Sequence, residues 1–326
     1  MSDGCPKCDE NRACGYNFCI ACGRDLTDPL PVKTNEPEPV DSYDIMFIAA
    51  MAATLITTVI GILAIIYCIA NISNISYYLT SFGMAEFSLA LVIYAFCLAY
   101  AAIRFAYRLT EKDPERRNGL LMDSGLMNSA IGLAVMFFAS IALIILVSLV
   151  DPVENNFLDD YNEYQLAAVL MIAGPEEEFL FRILPVGIPM VLIALIKGRE
   201  RVLKYLFGGF GMSRAALILI IVSAVIFGLA HLSGWNFSKV PQSVMCGLIF
   251  GYVYVEYGVY ASIIVHGTLD VFNIPGYMWD PINYLEYGMI FLGFVLMFHV
   301  FRQIPRMREY ETSEHPYGLF EMWRRH

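Results

Sequence analysis

The chain has 326 residues, of which 58% are hydrophobic and only 16% are charged. Soluble globular domains carry about 25% charged residues, so this composition excludes an ordinary soluble domain and indicates an integral membrane protein with several spans. The formal net charge of −10 argues against a nucleic-acid-binding protein, because a phosphate backbone attracts Lys and Arg.

The N-terminal segment 1–28 is rich in cysteine and contains two CxxC pairs, a pattern typical of a structural zinc site. The four predicted ligands are Cys5, Cys8, Cys19 and Cys22. We expect a zinc ribbon that the metal folds, because so short a segment cannot bury a core, and Cys14 is a spare ligand. Disulfides are the alternative, disfavoured because the N-terminus is predicted below to face the reducing cytoplasm. Docking or regulation is the expected role, which implies a protein partner.

Long apolar segments make up most of the remaining chain, behind an acidic, Pro-rich linker at 29–44. A membrane-spanning helix needs about 20 apolar residues, and eight segments are candidates. They lie at 45–70, 84–106, 124–150, 164–197, 214–233, 239–257, 258–274 and 283–302. The sequence therefore predicts an all-α integral membrane protein with about eight transmembrane helices, bundled over 45–310, and a tail at 311–326. Gly and Pro residues interrupt the overlong fourth segment, which predicts a kink or a break there.

Basic residues indicate the orientation of the bundle. Lys and Arg cluster in the loops 104–117 and 197–214 and in the C-terminal tail. With eight spans these three regions fall on one side, which the positive-inside rule assigns to the cytoplasm. We therefore expect a multi-pass protein of the cell membrane with both termini in the cytoplasm.

Three acidic residues, Glu176, Glu177 and Glu178, stand inside the fourth apolar segment. A charged side chain near the bilayer centre costs roughly 2.5–3.5 kcal/mol on insertion scales, so a cluster of them indicates a functional site. Arg182 lies one helical turn after Glu178, on the same face, where it can neutralise that carboxylate. An interfacial helix cap is the structural alternative, but a largely apolar stretch follows Arg182 before Lys197.

Two further motifs place histidines in apolar segments. His231 ends the fifth segment in the pattern FxxxH and, taken alone, is more typical of an interfacial histidine. His266 and Asp270 are four residues apart, which puts both on one helix face; a purely structural interhelical hydrogen bond is the alternative. Two imidazoles and a carboxylate suit a divalent metal such as zinc, and a remaining Glu could act as general base on water.

The order EExxxR, FxxxH and HxxxD resembles that of the CPBP intramembrane protease family, which includes the type II CAAX prenyl endopeptidases and the bacteriocin-immunity Abi proteins. The resemblance covers roughly residues 120–320. It implies Glu177 as the base that activates water, Glu178 and Arg182 as its support, and His231, His266 and Asp270 as metal ligands or oxyanion stabilisers.

The resemblance also implies a substrate and an optional cofactor. The activity would be endopeptidase cleavage of a membrane-anchored or lipidated, CAAX-like peptide within the lipid bilayer. A divalent metal, zinc being the first choice, would be held by His231 and His266. This chain departs from the prenyl endopeptidases at Asp270, where they more often have Asn, and Glu176 extends the Glu pair to a triplet.

Two functions without proteolysis use the same residues. A catalytically inactive scaffold or binding protein could keep the polar site for packing or for a ligand. A proton-coupled transporter also carries buried carboxylates and histidines, although no inverted repeat is evident in this sequence.

Overall fold

The computed structural model describes residues 42–154 and 161–311. The predicted zinc ribbon at 1–28, most of the predicted linker at 29–44 and all but the first residue of the predicted tail at 311–326 lie outside the described residues.

The regular structure of the described residues is helical. The α-helices are α1 (Ser42–Ala70), α2 (Ile72–Tyr78), α3 (Ser81–Leu109), α4 (Pro114–Met122), α5 (Gly125–Ser148), α6 (Glu163–Glu178), α7 (Ile188–Ile196), α8 (Leu203–Phe207), α9 (Arg214–Ala230), α10 (Val240–Tyr257), α11 (Val259–Val271) and α12 (Tyr284–Glu311). A π-helix (Phe179–Gly187) joins α6 to α7, and short 3₁₀ helices lie at His231–Ser233, Phe237–Lys239, Ile274–Tyr277 and Asp280–Asn283.

Six helical runs in the described part of the chain are long and apolar enough to cross a membrane. They are Asp44–Ala70, Ser81–Leu109, Gly125–Ser148, Glu163–Ile196, Arg214–Ser233 and Asp280–His299. These runs confirm a multi-pass helical membrane protein, but they do not confirm the predicted count of eight. The sixth and seventh predicted segments do form helices, α10 and α11, yet neither is among the six. With 13 residues, α11 is about 20 Å long, too short for a hydrocarbon core of about 30 Å.

The fourth predicted span is a single helical run of 34 residues, and its predicted interruption takes the form of the π-helix. Asn162 begins the run with a capping box: its side chain accepts hydrogen bonds from the backbone N–H groups of Tyr164 and Gln165, and the side chain of Gln165 accepts one from the backbone N–H of Asn162. Proline has no backbone N–H to donate, and Pro185 lies within the π-helix. A widened turn of this kind is a known way to absorb such a residue without ending the helix.

The short helix α11 lies at the centre of the bundle. It packs against α3, α5, α6 and α10, and every residue from Ala261 to Thr268 is buried. Because protein rather than lipid surrounds it, this helix can carry Ser262, His266 and Thr268 without exposing them to hydrocarbon. The hydroxyls of Tyr94 and Thr268 form a buried hydrogen bond of 2.7 Å.

Two glycines allow α6 and α11 to approach closely. A Cβ atom added to Gly174 would lie 2.6 Å from the Cα atom of Gly267, and one added to Gly267 would lie 2.8 Å from the ring of Tyr94. Small residues commonly permit such backbone contact between membrane helices. The contact brings the acidic end of α6 beside the middle of α11.

We predict that Gly174→Ala destabilises the bundle. The methyl group meets backbone that has no rotamer to change, and overpacking of this kind costs about 1–3 kcal/mol. The measurement is the melting temperature of the purified protein in detergent. Gly119→Ala in α4 is the matched control, because nothing lies within 4 Å of the added atom; a Gly174→Ala variant that melts like this control would contradict the close contact.

Candidate active site

A buried ion pair stands where α6 meets the π-helix. The side chains of Glu178 and Arg182 are both fully buried, and the distance from Nε of Arg182 to Oε2 of Glu178 is 3.5 Å. Nη1 of Arg182 also donates hydrogen bonds to Oγ of Ser223 at 3.0 Å and to the carbonyl oxygen of Phe181 at 2.9 Å. The guanidinium therefore joins the π-helix to α9 while it compensates the charge of Glu178.

Aromatic rings enclose the same guanidinium. Its carbon lies 5.2 Å from the ring centroid of Phe227 and 5.5 Å from that of Phe250, distances at which a cation is attracted to the π face. The ring of Phe250 also stacks on the imidazole of His266, with centroids 4.2 Å apart and planes inclined by 16°. These rings exclude water from the inner side of the site.

Glu178 also binds α11 through two side chains. Its Oε1 lies 2.8 Å from Nδ1 of His266, and its Oε2 accepts a hydrogen bond from the hydroxyl of Ser262. A carboxylate at Nδ1 favours the proton on that nitrogen, which fixes the imidazole orientation and stabilises its protonated form. Glu178 thus holds the imidazole of His266 in place and is itself fully enclosed by protein.

The other imidazole nitrogen faces two more carboxylates. Nε2 of His266 lies 3.4 Å from Oε2 of Glu177 and 3.5 Å from Oδ2 of Asp270. The side chain of Glu177 is 31% exposed and that of Asp270 is 19% exposed, whereas that of Glu178 is fully buried. Of Glu177 and Glu178, Glu177 is therefore the one whose carboxylate is not fully enclosed by protein.

His231 lies at the end of α9, close to this group but not bonded to it. Its Nδ1 is 2.9 Å from the carbonyl oxygen of Phe227. The ring of Phe227 contacts the imidazoles of His231 and His266 edge-on, with centroid distances of 4.7 Å and 5.7 Å. Through this shared contact with Phe227, the fold brings all three predicted motifs to one place.

Glu176 is separated from the cluster by the geometry of the helix. Consecutive helical residues point about 100° apart, and the side chain of Glu176 is exposed on the outside of α6. The structure thus places Glu177 and Glu178, but not Glu176, against His266.

The residues that the structure describes form no preformed site for the predicted catalytic metal. Across 42–154 and 161–311, no three His, Cys, Asp or Glu side chains are arranged to hold a metal ion. The carboxylates around His266 are instead at ion-pair distance from its ring. The metal at His231 and His266 stays a prediction, and no step below passes through it.

Sequence reasoning missed two serines that complete the site. Ser262 lies one turn before His266, and Ser223 lies one turn before Phe227, so each extends a motif backwards along one helix face. Ser262 binds Glu178, and Ser223 donates a hydrogen bond to the carbonyl oxygen of Phe181 while it accepts one from Arg182. The spacing i, i+4, i+8 on each helix, Ser262–His266–Asp270 and Ser223–Phe227–His231, could have identified both serines.

The fold and the site together define a multi-pass helical membrane protein with a buried Glu–His centre. A protein-family model described as type II CAAX prenyl endopeptidase Rce1-like matches residues 162–272. The matched range begins at the cap of α6 and ends one residue beyond α11, so it contains all six predicted site residues. No curated protein and no solved structure matches the chain. The matching family is a protease family, and the match supports a CAAX-type intramembrane protease.

We predict that Glu178→Gln destabilises the protein much more than Glu177→Gln does. Removing one partner of a buried ion pair costs about 3–5 kcal/mol, because the other charge stays buried without compensation. Glu177 is partly exposed, so its charge is less costly to remove. Thermal melting in detergent compares the two variants with Glu176→Gln as control. Equal melting temperatures for Glu178→Gln and Glu177→Gln would contradict the structural role of the buried pair.

Proposed function

We propose that this chain is an intramembrane endopeptidase that hydrolyses a membrane-anchored or lipidated, CAAX-like peptide. The observation that carries the proposal is that the partly exposed carboxylate of Glu177 lies 3.4 Å from an imidazole whose other nitrogen contacts the buried Glu178–Arg182 pair. A general base and an oriented electrophilic partner on adjacent helices are the minimum that hydrolysis of an amide requires. The family match over the same residues supports this reaction class.

In the proposed reaction Glu177 removes a proton from water, and the water oxygen attacks the carbonyl carbon of the scissile bond. Protonation of Glu177 removes its attraction to Nε2 of His266, which frees that N–H group to donate to the developing oxyanion. The tetrahedral intermediate then collapses, the carbon–nitrogen bond breaks, and Glu177 returns its proton to the leaving amine. No covalent enzyme intermediate forms, and Asp270 keeps the imidazolium favourable throughout.

His231 is assigned to the opposite side of the substrate from His266. Its Nδ1 is engaged with the carbonyl oxygen of Phe227, so Nε2 is the nitrogen that faces away from the helix end. From there it can donate to the oxyanion or orient the attacking water. Zinc in the N-terminal ribbon, a protein partner for that ribbon and a divalent metal at His231 and His266 remain further proposals, which metal analysis of the purified protein addresses.

The proposed orientation has both termini in the cytoplasm. It rests on the basic loops 104–117 and 197–214 and on the basic tail. These regions stay on a common side with six spans as well as with eight. The two segments that differ, α10 and α11, are consecutive, so omitting both leaves every basic region on the same side of the membrane. The positive-inside rule then gives the same orientation as before.

We predict that Glu177→Gln lowers cleavage by about 100-fold or more, the lower end expected for loss of acid–base help. The amide keeps the volume of the side chain but cannot take a proton from water. The measurement is turnover of a fluorogenic peptide that carries a prenylated cysteine near its C-terminus, beside a thermal melt of each variant. His231→Ala and His266→Ala should be similarly inactive.

Glu176→Gln is the matched control for Glu177→Gln, and it should cleave like the wild-type protein. A dead Glu176→Gln beside a normal Glu177→Gln would reverse the assignment of the base. A folded wild-type protein that cleaves no lipidated or membrane-anchored peptide would instead favour the scaffold function.

We predict that the loops after α3 and α7 are cytoplasmic. Single cysteines introduced as Glu115→Cys and Glu200→Cys should resist a membrane-impermeant thiol reagent added outside intact cells, whereas Ser76→Cys should react. All three positions are exposed, and the parent chain gives the background. Labelling of Glu115→Cys or Glu200→Cys from outside would contradict the orientation.

A further inference from the structure

Each of the three motif helices has one end near the basic loop 197–214. The run Glu163–Ile196, which contains α6 and the π-helix, ends directly at this loop, and α9 begins at the last residue of the loop. The end of α10, from which α11 follows, is tied to the same loop, because the backbone N–H of Gly209 donates to the carbonyl oxygen of Tyr254 at 2.9 Å. The run that contains α6 therefore approaches the basic loop, whereas α9 and α11 lead away from it.

The exposure of the site residues increases in the direction away from this loop. The buried members are those nearer the loop, namely Arg182 and Glu178 on the first run, Ser223 and Phe227 on α9, and Ser262 and His266 on α11. The partly exposed members are those farther from it, namely Glu177, His231 and Asp270. The chain direction of α6 is opposite to that of α9 and α11, so the three helices agree on a direction in space and not merely in sequence. The protein therefore leaves the site open on the side away from the basic loop.

Buried aromatic side chains close the site toward the basic loop. Phe250 stacks on the imidazole of His266 with centroids 4.2 Å apart, and Tyr254, one turn nearer the loop on α10, is also fully buried. The hydroxyl of Tyr254 donates to the carbonyl oxygen of Leu206, which belongs to the loop itself, at 2.5 Å. These contacts form a continuous packed connection between the inner side of the site and the loop.

The segment beyond the end of α9 forms a polar border on the opposite side. The side-chain amide of Asn236 donates to the carbonyl oxygen of Pro152 at 2.7 Å, and its Oδ1 accepts from the backbone N–H of Glu154 at 3.2 Å. The hydroxyl of Ser238 donates to Oδ2 of Asp151 at 2.7 Å. Asp151 and Glu154 are exposed, and exposed carboxylates are costly in hydrocarbon. This border therefore belongs in water at the membrane surface.

We propose that the site takes both water and peptide from the membrane face opposite the basic loops. This inference rests on the proposed function and names the side from which its substrate comes. Hydrolysis consumes water, and the carboxylates of Glu177 and Asp270 would be costly beside lipid, so the opening that contains them is aqueous. In the proposed orientation this face is extracytoplasmic. The substrate class is then a membrane-anchored peptide whose scissile bond is reached from the outer surface of the membrane.

The first test determines from which side water reaches the site, and it needs no enzymatic activity. Glu177→Cys is treated with a small, charged, membrane-impermeant thiol reagent in intact cells and, separately, in inverted membrane vesicles. The modified residue is identified by peptide mass spectrometry, which separates it from the native cysteines. We expect modification in intact cells to be about 50-fold faster or more than in inverted vesicles, because a charged reagent is excluded from hydrocarbon.

Two exposed positions mark the faces of the membrane in the same assay. Glu200→Cys in the basic loop should react in inverted vesicles, and Ser233→Cys, just beyond the end of α9, should react in intact cells. Asp270→Cys repeats the measurement on α11, and it replaces Glu177→Cys if that variant does not melt cooperatively in detergent. A site cysteine that reacts from the same side as Glu200→Cys, or from neither side, would overturn the inference.

Turnover by the wild-type protein separates this inference from the proposed function. A lipid-anchored peptide with a large polar segment cannot cross the membrane, so it should be cleaved when added to intact cells and not when added to inverted vesicles, with Glu177→Gln as the background. Cleavage only from the side of Glu200 would contradict the inference and keep the protease. Labelling of the site from the side opposite Glu200→Cys, without cleavage from either side, would support the opening and count against the proposed function.

Discussion

The buried Glu178–Arg182 pair is the constraint on which the site depends. Both side chains are fully buried, and besides each other they contact groups on other helices: Ser262 and His266 on α11 for the carboxylate, and Ser223 on α9 for the guanidinium. A buried pair that loses one member leaves an uncompensated charge in a low-dielectric interior. The pair therefore links α6, α9 and α11, the three helices that carry the motifs.

This arrangement places two adjacent glutamates in different environments. Glu178 is enclosed by protein and contacts Nδ1 of His266, whereas Glu177, one residue earlier, is partly exposed and lies beside Nε2 of the same ring. In the proposed reaction, environment rather than residue type therefore separates the supporting carboxylate from the base. The neighbouring Glu176 points out of the cluster, because the helix turns by about 100° per residue.

The sequence predicts best those residues that are costly to place inside a membrane. Three glutamates and an arginine inside an apolar run are expensive enough to indicate a function, and the structure does gather the predicted Glu, His and Asp residues. Ser223 and Ser262 escaped notice because a single hydroxyl in a helix is inexpensive and common. The predicted count of eight spans is not confirmed, because α10 and α11 are not among the six described runs that are long and apolar enough to cross a membrane.

The π-helix allows one helical run to pack against two neighbouring helices. Up to Glu178 the run faces α11, and from Phe179 onward it packs against α9. A π-turn carries more residues than an α-turn, which changes the direction of the side chains that follow, and such turns are frequent at functional sites. Arg182 lies inside this wider stretch, so it can hold Glu178 with Nε and still reach Ser223 with Nη1. The ion pair spans four residues across the start of the π-helix, so Arg182 connects the part of the run that faces α11 with the part that packs against α9.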